Sequence, residues 1–398
     1  MAPGSQKKEK GVEEVDPTAR LTDDILVDII SRVPYKSTCC CKCVSPRWRD
    51  LISHRDHREK MPQSILGFFY QGYNKFRFPK KARYFTNLSR QRYPLVDPSL
   101  SFLPNHHSHS LDILDGCNGL LLCRCWKATD PKTLDYVVCN PDTDEWLVVP
   151  ATESSSKVSV ARLGFDPAVS SHVHVFEFID EEAWGIDEDE RNDYCFGRIE
   201  TLAIYSSKDG AWKYQTVECD PFVLPSNSVS AFLNGILHLA DFHNFIVAVD
   251  VEGDNWWYIG IPKLPYNDAD INDVFPSQGQ LYFANSTTGS ELSVWVLEDY
   301  VTRKWTLKHS VSLLQLFGTE YYSYADDYRV ISIHPEHNLI FIVAGDKKIL
   351  MSYDMDSMQL CFIRQLGSDC GVKLLGYSDN APFYPHVPLF SLSLADGH

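Results

Sequence analysis

A glycine turn followed by an apolar strand, and then by a tryptophan, recurs along most of this chain. The turns lie in CNGLLLC (Cys117), LNGILHL (Leu233) and SQGQLYF (Ser277), and the downstream segments are TDEWLVV (Trp146), GDNWWYI (Trp256) and TRKWTLK (Trp305). KDGAWKYQTV (Trp212) repeats the second half, and residues 336–363 keep the layout without its tryptophan. Each unit spans about forty to fifty residues, the size of one four-stranded propeller blade. The repeat predicts a β-propeller of about six blades; a β-sandwich, the alternative, would not need the same order of glycine and tryptophan.

The first sixty residues have a different pattern. Residues 1–18 are charged and poor in apolar side chains, which predicts a disordered tail. From Leu21 the apolar residues follow a helical period, with Thr22 as a candidate N-cap and Asp23 and Asp24 in the first turn. A second short helix, capped by Ser37, is predicted to run through Cys43, and a third is capped by Ser45. Three such helices are too small to form a generous core, so we expect the module to need a partner surface.

Composition restricts the possible partners and compartments. The net charge of −16 disfavours nucleic-acid binding, which needs a basic face. The N-terminus lacks the apolar core of a secretory signal, and the longest apolar runs, such as LIFIVA at Leu339, are too short to span a bilayer as a helix. We therefore expect a protein of the cytoplasm or nucleus, with no membrane partner and with its twelve cysteines reduced.

The front module resembles the F-box. The resemblance lies in the acidic start of the first helix and its isoleucine and leucine residues, in the turn VPYKS at 33–37 and in the segment CVSPRW at 43–48. Three positions depart from the family pattern. Thr22 replaces a proline, Pro46 replaces a common lysine, and Cys39, Cys40 and Cys41 stand where leucine and larger residues are usual. The three small cysteines should leave that face less fully packed.

The rest of the chain resembles the kelch-like, F-box-associated β region of the large plant F-box families. The motifs that carry this resemblance are DGCNGLLLC, VCNPDTDEW, LGFDP and the closing PHVPLFSLSL. The resemblance implies an F-box module over residues 19–60 and a target-binding β-propeller over 61–398.

The resemblance also implies a function. F-box helices dock onto the SKP adaptor of a cullin-RING ubiquitin ligase, and the C-terminal domain captures a target protein. The residues carried over to the adaptor contact are Leu21, Ile25, Leu26, Ile29, Ile30, Val33, Pro34, Val44, Trp48 and Leu51. The target and its binding residues cannot be assigned from the sequence. On this interpretation the protein performs no chemistry of its own.

Two other functions remain open at this point: a β-propeller enzyme, and an interaction scaffold that works without a ligase. No common catalytic or phosphate-binding motif is found, and no cofactor is predicted. The cysteine run 39–43 has no second pair of ligands downstream, so no metal site is predicted. The basic segment 75–92 and the acidic segment 180–193 are candidate binding loops, although solvated surface is the simpler interpretation of both.

Overall fold

The computed structural model divides the chain into two compact units, Met1–Pro62 and Gln63–His398. It describes residues 17–33, 35–54, 57, 60–61, 63–73, 81–89, 94–103, 111–126, 134–155, 158, 160–180, 199–217, 222–225, 228–241, 245–262, 273–285, 291–318, 328–345, 348–366, 382–389 and 394. The predicted tail falls almost entirely outside these residues, as do half of the basic segment 75–92 and nearly all of the acidic segment 180–193.

In its described residues the first unit has a 3-10 turn and three short helices. The turn is Pro17–Arg20, and the helices are α1 (Asp23–Ser31), α2 (Tyr35–Cys41) and α3 (Pro46–Ser53). The N-cap prediction for Ser45 is confirmed, because its hydroxyl accepts from the backbone N–H of Trp48 at 3.2 Å. Thr22 occupies the N-cap position of α1 without a side-chain capping bond.

Both boundaries predicted for the second helix are wrong. Helix α2 begins at Tyr35, so Ser37 lies inside the helix and does not cap it, and the helix ends at Cys41, two residues before Cys43. Within the described residues, every helix is too short or too polar to cross a membrane.

The second unit contains six antiparallel sheets. Blade 1 is β3 (Leu111–Cys117), β4 (Leu120–Trp126), β5 (Leu134–Asn140) and β6 (Glu145–Pro150). Blade 2 is β7 (Val160–Gly164), β8 (His174–Asp180), β9 (Ile199–Ser206) and β10 (Ala211–Thr216). Blade 3 is β11 (Ser230–Leu233), β12 (Ile236–Ala240), β13 (Phe245–Asp250) and β14 (Trp256–Gly260).

Blade 4 is β15 (Asp273–Ser277), β16 (Gln280–Asn285), β17 (Glu291–Asp299) and β18 (Lys304–Ser312), and is followed by the short helix α4 (Leu313–Phe317). Blade 5 is β19 (Tyr328–Ile333), β20 (Leu339–Ala344), β21 (Ile349–Asp354) and β22 (Gln359–Gln365). Blade 6 combines the two ends of the unit: β1 (Gly67–Tyr73) pairs with β2 (Lys81–Asn87) on one side and with β23 (Phe383–His386) on the other. The prediction of a six-bladed propeller behind a small helical module is confirmed.

The repeat seen in the sequence corresponds to one fixed place in the blades. Its glycines lie in two-residue turns between the first and second strands of blades 1, 3 and 4. Both turn residues have positive φ, which this hairpin type requires and which glycine and asparagine tolerate best. The values are 48° and 91° for Asn118 and Gly119, 53° and 77° for Asn234 and Gly235, and 49° and 71° for Gln278 and Gly279.

The tryptophans of the repeat lie on the fourth strands, where two of them join neighbouring blades. The indole N–H of Trp212 on β10 donates to the carbonyl of Pro150 on β6 at 2.7 Å. In the same way, Trp305 on β18 donates to the carbonyl of Gly260 on β14 at 3.0 Å. Because an indole has an apolar body and one N–H donor, it can fill the space between two blades and still satisfy its polar atom.

The first strands of the blades, together with β23, lie next to one another around the centre. Polar side chains join several of them. Asp115 on β3 is buried and accepts from the backbone N–H of Leu163 on β7 and from the Ser230 hydroxyl on β11, each at 2.8 Å. Asp273 on β15 accepts from Arg329 Nη2 on β19 at 2.7 Å. Each buried carboxylate therefore has hydrogen-bond donors, which burial of charge requires.

The chain after β23 fastens blade 6 to blade 1. Asp142, in the turn between β5 and β6, accepts from the His386 ring at 3.0 Å and from the backbone N–H of Leu389 at 2.8 Å. Asn140 donates to the Leu389 carbonyl at 2.8 Å. A Cβ added to Gly119, whose φ is 91°, would lie 2.4 Å from the Val387 carbonyl oxygen. Any other residue at this position would therefore clash with the segment after β23.

We predict that Asp142→Ala lowers the free energy of unfolding of the propeller by about 2–4 kcal/mol, because it leaves two buried donors without their acceptor. Asp299→Ala is the matched control. The Asp299 carboxylate accepts from the Val301 N–H at 2.8 Å and from the Thr302 hydroxyl at 2.7 Å, both within its own exposed turn. Asp299→Ala should therefore lower the free energy of unfolding by less than about 1 kcal/mol. Urea unfolding followed by tryptophan fluorescence measures both, and an equal cost for the two variants would contradict the fastening role of Asp142.

A second prediction concerns pH. His238 on β12 is buried, and burial lowers its pKa from 6.5 to about 4. The unfolded chain therefore binds a proton here that the folded chain does not bind, so stability is lost as pH falls from 6.5 towards 4. His238→Asn removes the titrating ring but can still donate to the Ala231 carbonyl, which the ring contacts at 3.0 Å. Between pH 7 and pH 4.5, the free energy of unfolding measured in urea should fall by about 2–3 kcal/mol less in the variant than in the wild type. An unchanged pH dependence would show that His238 does not contribute.

Candidate protein-binding surface of the helical unit

Helix α1 has two apolar faces, and the unit buries only one of them. Leu26, Val27 and Ile30 are buried. Their core is completed by residues from α3 and the chain that follows it: Leu51, Ile52 and Met61. Ile25 and Ile29 are four positions apart, so they lie next to each other on a different face, and their side chains are 48% and 44% exposed.

A third apolar residue of the unit is still more exposed. Val44 lies between α2 and α3 and is 63% exposed. With Ile25 and Ile29 it gives this small unit three large aliphatic side chains that are about half exposed or more. We call these three residues the exposed apolar set. Single exposed apolar residues are ordinary on protein surfaces, but a pair on one helix face has the arrangement that helix-mediated recognition uses.

Polar contacts fix the start of α1 against α3. Arg47 on α3 donates from Nη2 to the Leu21 carbonyl and to the Asp23 carboxylate, both at 2.7 Å. The indole N–H of Trp48 donates to the Thr18 hydroxyl at 3.4 Å. The Arg47–Asp23 pair is partly exposed and contributes little alone. Arg47 also donates to the Leu21 backbone carbonyl, and this second bond fixes the orientation of the start of α1 relative to α3.

The remaining face of α1 is acidic. Asp24 and Asp28 are exposed, and Asp28 forms an ion pair with Arg32 at 2.8 Å. The exposed isoleucines therefore lie between the buried face and an acidic face. A partner that covers Ile25 and Ile29 would meet carboxylates at one border, and basic or hydrogen-donating groups would complement them.

The ten residues predicted for the adaptor contact fall into distinct groups. Ile25, Ile29 and Val44 are exposed; Leu26, Ile30 and Leu51 are buried in the unit's own core; Leu21, Val33 and Trp48 are half-buried; Pro34 lies outside the described residues. The contact itself stays a prediction. The structure shows which of the ten side chains are accessible to a partner and which belong to the core that supports them.

Two structural residues of this unit were missed by sequence reasoning. Val27 is fully part of the core, and its place in the helical period, beside Leu26 and before Ile30, was a signal that could have found it. Arg47 was assigned no role, although it makes the bonds that join α3 to the start of α1. No sequence signal identifies a long-range donor of this kind.

Several charged side chains of the propeller that could serve as ligands have structural partners where the structure describes them. Within its described residues, no group of three histidine, cysteine or acidic side chains is placed to hold a metal ion. Asp115 and Asp273 are occupied by structural bonds. From the predicted basic segment, Arg83 on β2 is used internally, donating to the Leu111 carbonyl at 2.9 Å and the Ser99 carbonyl at 3.1 Å.

Comparisons with known proteins agree with both units. Residues 19–60 match the model of the F-box domain, and residues 89–376 match that of the "F-box protein At3g26010-like, beta-propeller". The Arabidopsis thaliana "F-box protein At5g07610" is 27% identical over 76% of this chain and 74% of its own length. From the same plant, "Putative F-box protein At5g52610" is 23% identical over 84% and 92%, and "Putative F-box/kelch-repeat protein At1g15680" is 24% identical over 85% and 82%. A helical unit that matches the F-box and a propeller that matches one found in F-box proteins show that this chain belongs to the F-box protein family, in the group that carries an At3g26010-like β-propeller.

Proposed function

We propose that this protein is the substrate-recognition subunit of an SCF-type cullin-RING ubiquitin ligase. In this proposal the helical unit binds an adaptor of the SKP family, and through it the cullin and RING subunits, while the propeller binds a target protein. The observation that carries the proposal is the exposed apolar set on an F-box whose own core is already complete.

The energetics of the exposed apolar set favour a contact that extends beyond it. Full burial of a large aliphatic side chain contributes roughly 1.5–3 kcal/mol, and the half-exposed isoleucines can gain about half of that. Together the three residues gain about 2–5 kcal/mol, which leaves little or no surplus over a cost of association of at least about 4 kcal/mol. The half-buried residues and polar groups near α1 must therefore contribute to the adaptor contact as well.

The proposed mechanism is proximity. A target held on the propeller and a ubiquitin-transfer enzyme held through the adaptor share one assembly, so transfer takes place at a high effective concentration. This role needs no catalytic residue, cofactor or metal ion in the chain. Adaptor and target would meet the protein in the cytoplasm or nucleus.

The test changes the exposed side chains and leaves the core intact. The double variant Ile25→Asp with Ile29→Asp places two carboxylates where the adaptor needs apolar contact, and should weaken adaptor affinity at least a hundredfold, about 3 kcal/mol. Titration of the full-length protein with a purified SKP-family adaptor by isothermal calorimetry measures this change. Helical circular dichroism should be unchanged, because neither isoleucine belongs to the buried core.

Val301→Asp is the matched control for this experiment. Val301 is a propeller residue whose side chain is 90% exposed, so the variant makes the same apolar-to-acidic change elsewhere on the protein. Its adaptor affinity should equal that of the wild type. Equal affinity of the double variant and the wild type would contradict the proposal.

A further inference from the structure

The end of α2 and the turn that follows it carry three cysteines, Cys40, Cys41 and Cys43, in different surroundings. Cys40 and Cys43 are exposed, whereas Cys41 is half-buried and packs against the core of Leu26, Val27 and Ile30. Burial raises the pKa of the Cys41 thiol, which disfavours its reactive thiolate form. Cys40 and Cys43 are therefore the members of this group that soluble reagents can reach.

The backbone holds these two cysteines close together. The N–H of Cys43 donates to the Cys40 carbonyl at 3.0 Å, closing a turn over residues 40–43. The ends of such a turn have Cα atoms less than about 7 Å apart. A disulfide needs a Cα separation of roughly 4.4–6.8 Å, so the turn brings the pair into the range in which a bond can form with little backbone movement.

The other two pairings among Cys40, Cys41 and Cys43 are less suitable. Adjacent residues joined by a trans peptide have Cα atoms about 3.8 Å apart, which is too close for an ordinary disulfide and excludes Cys40 with Cys41. A bond between Cys41 and Cys43 would draw Cys41 away from the apolar core that it contacts. Elsewhere, Cys123, Cys125 and Cys139 are buried inside blade 1, and Cys361 is exposed on β22.

We propose that Cys40 and Cys43 form a redox-modification site that hydrogen peroxide converts into a disulfide. One thiolate attacks the peroxide and becomes a sulfenic acid, releasing the first water once its oxygen is protonated. The second thiol attacks that sulfur, the S–S bond forms, and the sulfenic oxygen leaves as the second water. Two thiols and one peroxide thus give one disulfide and two waters. Cys361, for which the described structure shows no neighbouring thiol, should stop at sulfenic acid or oxidise further.

The experiment treats the reduced full-length protein with hydrogen peroxide, blocks the remaining thiols and maps tryptic peptides by mass spectrometry. Trypsin cleaves after Lys42, between the two cysteines, so the disulfide holds peptides 37–42 and 43–47 together. We expect this linked pair in near-stoichiometric yield, two hydrogens lighter than the sum of its parts, and its release by dithiothreitol.

Single variants identify which thiol of the first peptide takes part. Cys40→Ser and Cys43→Ser should abolish the linked pair, whereas Cys39→Ser and Cys41→Ser should keep it. Both replaced thiols of the first two variants are exposed, so helical circular dichroism should not change. Persistence of the linked pair in Cys40→Ser, or its failure to form in the wild type while Cys361 is oxidised, would overturn the proposal.

Discussion

The pairing of β1 with β23 is the interaction on which the propeller depends, because it joins the two ends of a ring of six blades. Without it, blades 1 and 5 would each lose a neighbour. The junction is reinforced where the segment after β23 meets blade 1, through Asp142 and Asn140. The four sequence motifs that carry the family resemblance make contacts near this junction. The Asn118 side chain donates to the Phe165 carbonyl, and the backbone N–H of Leu163 donates to the Asp115 carboxylate, each at 2.8 Å. These motifs therefore supply contacts that close the ring.

A different constraint applies to the helical unit. A unit of three short helices has enough apolar residues from α3 to cover one face of α1, and the face with Ile25 and Ile29 remains exposed. Exposed apolar groups on so small a unit need a reason, and binding another protein supplies one. The cysteines of α2 and the turn after it lie in the same unit, so a redox-sensitive thiol pair would belong to the part of the protein that makes the proposed adaptor contact.

The sequence predicted the features that repeat and failed on those that depend on distant partners. The glycine turns and the fourth-strand tryptophans recur with fixed local chemistry, and they identified the propeller. The innermost strands, such as β7 and β11, are short. They direct polar side chains such as Arg162 and Ser230 towards neighbouring blades, so they lack the apolar–polar alternation that identifies a strand in a sequence. The helical stripe was recognised, but only the packing of α3 shows that Leu26 and Ile30 face inward while Ile25 and Ile29 face outward.

We propose this outward face of α1 as an adaptor-binding surface, and photo-crosslinking tests that role most directly. A photoreactive amino acid placed at position 29 of the full-length protein, and at position 301 as a control, is irradiated with a purified SKP-family adaptor. If α1 binds the adaptor through this face, a covalent adduct with the adaptor forms from position 29 and none forms from position 301. An adaptor that binds the protein with unchanged affinity but forms no adduct from position 29 would contradict that role.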